Sequence, residues 1–149
     1  MNDQRKSLDP QALAAHVGAG MFAEDAASQG LGMAMEAIGP GYARISMTVR
    51  PDMLNGFKIC HGGFITTLAD SAFAFACNSS NELTLAAGFV VDFLAPAKQD
   101  DRLVAEAKEV SLIGRSGIYD VTVTNQNGQL VAVLRGRSHR TKDKQVVPL

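Results

Sequence analysis

His61-Gly62-Gly63 leads into a run without lysine, arginine or glutamate, and one aspartate, Asp70, stands eight residues beyond Gly62. The first turn of a helix leaves several N–H groups unpaired and carries partial positive charge. Glycines at that point let a ligand approach the backbone closely. A carbonyl oxygen resting on such donors is polarised, and the oxyanion formed by attack on it is stabilised more than the ground state. The same two glycines also suit a tight loop-to-helix junction with no ligand at all. Asp70 is the only charged side chain between His61 and Glu82. A carboxylate in apolar surroundings is costly to ionise, so burial raises its pKa towards that of a useful general base or nucleophile. A hydrogen bond to Ser, Thr or Asn across an interface would explain it equally. On one helix, eight residues span about 12 Å, too far for one chain's Asp70 to serve a carbonyl at its own helix start. A site between two chains, with the glycine N–H from one and the carboxylate from the other, removes that difficulty.

Asn55, followed by Gly56, lies in the loop before His61 and offers an amide to a water or to His61; as a loop asparagine it also suits a plain turn. Towards the C-terminus, Arg135, Arg137, His139, Arg140, Lys142 and Lys144 form a basic run. It could meet the phosphates of a nucleotide-like carrier through charge-assisted bonds, or simply be a solvated strand end. Other chemistry is missing from the sequence. There is no glycine-rich phosphate loop with its lysine, no GxGxxG after a strand and no G-x-S-x-G elbow. Three scattered histidines, His16, His61 and His139, do not suggest a metal site.

The elements that position these residues read as follows. Residues 10–29 have helical spacing of Leu13, Val17, Met21 and Phe22, opened by Asp9-Pro10. Residues 33–38 form a short strand, followed by the turn Gly39-Pro40-Gly41. Ala43, Ile45, Met47 and Val49 then alternate with polar residues, as a half-buried strand does. A loop over 51–61 leads to a helix over 62–78 whose faces are all apolar or small. A solvated helix normally carries long charged residues, so this one should be covered nearly all round, by a wrapping sheet and by a partner. Four strands follow, over 84–94, 102–113, 118–124 and 129–140, with a phase slip near Glu109-Val110 that suggests a bulge and a hairpin at Asn127-Gly128. Hairpin-linked strands and one long apolar helix predict an α+β hot-dog fold: a curved antiparallel sheet around a central helix, with an extra N-terminal helix. The expected organisation is a helical appendage over 1–30 and a single domain over 31–149. Pairing sheet edges in a dimer would cover them.

Length and composition set the bounds. With 149 residues, 46% hydrophobic and 19% charged, the chain has the balance of one globular domain. A net charge of −1 gives no chain-wide field for nucleic acid or acidic membranes. No apolar run reaches the roughly 18–20 residues of a membrane span, and MNDQRKSLDPQ lacks the apolar stretch of a secretory signal. Cys60 and Cys77 are too few for a disulfide scaffold. Buried free thiols in a reducing cytoplasm are the simplest expectation.

Met53-Leu54-Asn55-Gly56, Cys60-His61-Gly62-Gly63, Leu68-Ala69-Asp70-Ser71-Ala72-Phe73-Ala74 and Asp92-Phe93-Leu94-Ala95-Pro96 together resemble the hot-dog acyl-CoA thioesterases, and among them the PaaI branch of phenylacetic acid degradation. The resemblance extends through Gly117-Ile118-Tyr119-Asp120 and covers roughly residues 30–141. It implies hydrolysis of acyl-CoA thioesters, phenylacetyl-CoA and its ring-hydroxylated derivatives among them. Gly62, with Gly63 beside it, would polarise the thioester carbonyl. Asp70 of a facing subunit would attack it or activate water, and Asn55 and His61 would position the water or the thioester. Ser71 stands where relatives often carry a hydroxyl near the carboxylate. The resemblance also implies a dimer of dimers without metal or redox cofactor. By apolarity and proximity, Phe57, Phe64, Leu68 and Phe73 are candidates for the acyl pocket, and Arg135, Arg137 and Arg140 for the CoA phosphates.

Two other classes fit less well. Hot-dog hydratases and dehydratases resemble a helix Asp followed closely by His, and Ser71 to Phe75 contain no imidazole. A non-catalytic acyl-CoA sensor would not need Asp70 and would usually carry a DNA-binding extension, for which about 30 N-terminal residues are too few.

Overall fold

A computed structural model describes residues 8–149; residues 1–7 of the expected appendage lie outside the described residues. Helix α1 (Pro10–Glu24) starts as its sequence dictates, with Asp9 accepting from the Ala12 N–H and proline in the first turn. The single helix expected over 10–29 is in fact two. The Asp25 N–H donates to Phe22 O, closing α1, and its carboxylate accepts from the Ser28 N–H, opening α2 (Ala26–Gly30). A capping side chain that satisfies the orphan donors of a new helix ends the old one. Ala14, Val17 and Gly18 face inward from α1. A Cβ on Gly18 would stand 2.8 Å from Ile38 Cδ1, so this glycine lets the helix lie directly on the sheet.

Six strands follow in chain order: β1 (Ala34–Gly39), β2 (Tyr42–Thr48), β3 (Glu82–Phe93), β4 (Arg102–Ile113), β5 (Ser116–Thr124) and β6 (Leu130–Gln145). They form one antiparallel sheet in the order β1-β2-β4-β5-β6-β3. The expected slip in β4 is a register shift between Glu109 and Ser111. β6 runs beyond the expected 129–140 because its polar tail pairs with the start of β3, Glu82 opposite Gln145.

Helix α3 (Gly62–Cys77) lies on the concave side and packs against β2, β4 and β5. Leu68, Phe73 and Phe75 meet Ile45, Met47, Leu103, Val121 and Val123 in the core. This is the hot-dog arrangement that the apolar helix and hairpin strands predict. The sheet covers one side of α3, while Gly63, Thr67, Asp70 and Ala74 on the other side stay at least partly open. β3 is an edge strand of twelve residues with exposed Leu85, Phe89, Val90 and Phe93.

Candidate active site

His61 caps α3. Its Nδ1 accepts from the Gly63 N–H at 3.3 Å. An accepting Nδ1 carries no proton, so a neutral His61 holds its proton on Nε2 and presents a donor there. The Gly63 N–H is therefore occupied. The Gly62 N–H, at the first position of the helix, has no partner among the described residues. It borders a cleft of about 610 Å³ lined by Asn55, Ile59, Cys60, Gly62, Ile65, Phe93, Leu94, Pro96 and neighbouring alanines. The Phe93 ring covers Gly62 so closely that a Cβ there would lie 2.9 Å from Cζ. A free backbone donor on the wall of an apolar cleft can polarise a carbonyl where water competes poorly.

Asn55 is on the same wall. Its Oδ1 accepts from the Phe57 N–H at 2.9 Å, the turn-forming role, and its Nδ2 remains as a donor. The Cys60 thiol, also on the wall, is pushed up to about 11 by burial and is inert at neutral pH.

Asp70 is half-buried on the open side of α3 and does not line this cleft. Burial raises its pKa, and Asp25 nearby adds to the rise. The folded carboxylate is thus a stronger base than a solvated one. Ser71 faces the N-terminal helices: its Oγ is 2.8 Å from Ser28 Oγ, which in turn donates to Asp25 Oδ2 at 2.6 Å.

The remaining sequence candidates scatter. Phe57 is 86% exposed at a loop tip, and Phe64 is half-buried beside the His61 ring. Leu68 and Phe73 do not line the cleft but are sealed in the core, Phe73 against Tyr119 and Gly136. Apolarity suggested them, and core packing uses it. The three arginines do not form one cluster. Arg135 is held by both carboxylate oxygens of Asp120 on the outer sheet face. Arg137 shares that face beside Val90 and Ile118. Arg140 has the opposite strand parity and pairs with Glu82 and Ser80 near the far end of α3. Phe93, Leu94 and Pro96 were missed as cleft residues, although the Asp92-Phe93-Leu94-Ala95-Pro96 block held them. Among the described residues no group of three His, Cys, Asp or Glu side chains is placed to hold a metal ion. No described helix is long and apolar enough to cross a membrane.

The family model "Thioesterase superfamily" matches residues 57–132. The chain is 41% identical over 120 residues to the acyl-coenzyme A thioesterase PaaI of Escherichia coli strain K12, covering 80% of this chain and 86% of that one. It superposes on a solved structure of the E. coli PaaI protein from the phenylacetic acid degradation operon with a TM-score of 0.88 and 38% identity, covering 89% and 96% of the two chains. It also resembles the structure of smu.793 from Streptococcus mutans bound to acetyl CoA, with a TM-score of 0.73 and 26% identity over 76% of this chain and 91% of that one.

Proposed function

This chain belongs to the thioesterase superfamily as a hot-dog acyl-CoA thioesterase, and from that premise we propose that it hydrolyses phenylacetyl-CoA and ring-hydroxylated phenylacetyl-CoA in phenylacetate catabolism. The observation that carries the reading is the unpaired Gly62 N–H on an apolar cleft. The thioester carbonyl oxygen accepts from that N–H, and the acyl ring lies among Ile59, Ile65, Phe93, Leu94 and Pro96. Asn55 Nδ2 and His61 Nε2–H orient the thioester or the water. Asp70 comes from the partner subunit.

Several features support a shared site. The cleft contains no carboxylate. The open stripe of α3 carries small or short side chains that a second helix can approach. Phe89 and Phe93 of edge strand β3 pair with inward-facing Gly136 and Ala132 of β6, so both lie on the helix side of the sheet. A long apolar edge left unpaired invites another strand. Pairing two β3 strands about a two-fold axis covers that edge and brings two copies of α3 face to face. The dimer of dimers then forms from two such pairs.

In the reaction, Asp70 takes a proton from water as the water oxygen attacks the carbonyl carbon. The negative charge on the former carbonyl oxygen rests on the Gly62 N–H. As the tetrahedral species collapses, the C–S bond breaks, CoA departs as the thiolate, and a carboxylic acid remains. If instead Asp70 attacks, an anhydride forms first and water then cleaves it. Single turnover in ¹⁸O-water separates the routes, because only the anhydride route can leave label in Asp70. The test of the function is release of free CoA thiol from a panel of aryl- and alkyl-acyl-CoA esters. Phenylacetyl esters should lead the panel, and Asp70→Asn should abolish release while retaining binding. Unchanged release in Asp70→Asn defeats the mechanism, and an alkyl ester turned over best defeats the substrate.

A further inference from the structure

We propose that Asp25 is a positioning residue of the hydrolytic site: acting through Ser28, it fixes the hydroxyl of Ser71, next to Asp70, as a hydrogen-bond acceptor. The proposal rests on the reading of Asp70 given above. It concerns residues of the α1–α2 corner, which lies outside the matched segment 57–132.

The argument is a count of protons. Asp25 Oδ1 accepts from the Ser28 N–H at 2.9 Å, and Oδ2 accepts from the Ser28 hydroxyl at 2.6 Å. Ser28 Oγ also lies 2.8 Å from Ser71 Oγ. Ser28 is 1% exposed and Ser71 9%, so each hydroxyl depends first on the other and on Asp25 for its hydrogen bonds. A serine has one hydroxyl proton, and that of Ser28 is committed to Asp25; an ionised carboxylate has none to return. The proton between the two serines therefore belongs to Ser71. The chain runs Ser71 to Ser28 to Asp25, each donating to the next. Ser71 has then spent its only proton, and only its lone pairs remain to be offered.

An acceptor adjacent to the base has a defined use. A water that gives one proton to Asp70 and points its other at Ser71 Oγ has its lone pair turned outward, towards a carbonyl. A Ser71 that donated would turn that water the other way. Asp25 also places a second negative charge near Asp70, in line with the raised carboxyl pKa there.

Asp25→Asn tests this with the least disturbance. Asparagine caps a helix about as well as aspartate, so α2 keeps its start. With its oxygen on the Ser28 N–H, however, the new amide puts NH₂ against Ser28 Oγ. Ser28 must then donate to Ser71, and Ser71 must send its proton to the Thr67 carbonyl one turn back, or elsewhere. The polarity of the whole chain reverses. Expected for Asp25→Asn is a kcat lower by about tenfold, the scale of one misdirected hydrogen bond, with KM within twofold and Tm nearly unchanged. Ser71→Ala should lose a similar factor, and Asp25→Asn should lose nothing further in that background. A wild-type kcat in Asp25→Asn overturns the proposal, as does a loss that persists undiminished in Ser71→Ala.

A second measurement is independent of turnover. Denaturant melts of Ser28→Ala, Ser71→Ala and the double variant should be non-additive, because the two hydroxyls share a bond. Additive shifts overturn the hydrogen-bonded chain itself. Asp70→Asn keeps the two levels apart. Unchanged thiol release in Asp70→Asn defeats the reading of Asp70 and this role with it. Release lost in Asp70→Asn but normal in Asp25→Asn defeats only the role of Asp25.

Discussion

Proline at position 62 should disable the enzyme while leaving it folded. The first position of a helix is the one place where proline costs little, because the N–H it removes has no intrahelical partner. The preceding residue must be extended, and His61 already is, at φ −60° and ψ 132°. Gly62→Pro thus deletes the backbone donor left free on the cleft wall. It also adds a Cβ 2.9 Å from Phe93 Cζ. Phe93 is 51% exposed at the end of an edge strand, so its ring can swing aside. Gly62→Ala carries the same Cβ and keeps the N–H, so the ratio of the two variants isolates the donor from the crowding. Losing one oxyanion donor costs about 2.7–4 kcal/mol, or roughly 10²–10³ in kcat. Thiol release from phenylacetyl-CoA should fall by that factor from the alanine to the proline variant, with closely matched melting temperatures. A folded proline variant within tenfold of the alanine variant would refute the assignment of the oxyanion to Gly62.

Asp70→Asn should be more stable than the parent at neutral pH. The folded-state pKa of Asp70 is raised, so its contribution is full below the ordinary aspartate value and is lost as pH rises through the raised one. The Tm gap measured at about pH 8 should shrink towards about pH 3, below the ordinary aspartate pKa; a gap independent of pH contradicts the shift. Gly136→Ala should destabilise by about 1–3 kcal/mol in denaturant melts, because its Cβ would lie 2.8 Å from the Phe73 ring in the sealed core. A neutral result would show that the ring has room to move. Phe89→Asp, on the exposed edge, should lower the sedimentation mass and abolish thiol release together. A variant that keeps the parent's mass rules out pairing along β3.

The sequence made α3 legible because its composition has no other use: a helix without long charged residues must be enclosed. The two glycines at its start also stood in plain view. The break at Asp25 did not, because Ala26-Ala27-Ser28-Gln29 holds no glycine or proline to punctuate the helix before Gly30. Its local signal was an aspartate three residues before Ser28, the spacing of a helix cap. Leu68 and Phe73 were misassigned to the acyl pocket for a different reason. Leu68 and Phe73 look the same in sequence whether they face the sheet or a cleft, and only the rotation of α3 decides. The arginine cluster was testable from strand period alone, since Arg135 and Arg137 share a parity that Arg140 lacks. The tail of β6 was beyond local reading, because its polar residues are strand only by pairing with the start of β3.

A two-fold site built from a single helix has a consequence that needs no knowledge of the ligand. If Gly62 of one chain faces Asp70 of the other and the reverse, the two copies of α3 run antiparallel. Their crossing point then falls midway between those residues, beside Thr67 on the open stripe. The Thr67 hydroxyl donates to Gly63 O in its own helix, which leaves its methyl to meet the neighbour. Helices in contact through small side chains lie about 8–10 Å apart. Subtracting two backbone radii of about 2.3 Å leaves about 3.4–5.4 Å between the facing Cα atoms. That overlaps the roughly 4.4–6.8 Å spanned by a disulfide. Thr67→Cys should therefore cross-link to its own copy under mild oxidation, as a doubled mass on non-reducing gels. Ala74→Cys, seven residues further along, stands about 10 Å from the axis in each chain, and its copies should stay apart. Cross-linking through Ala74→Cys but not Thr67→Cys would place the axis elsewhere and separate Gly62 from the partner's Asp70.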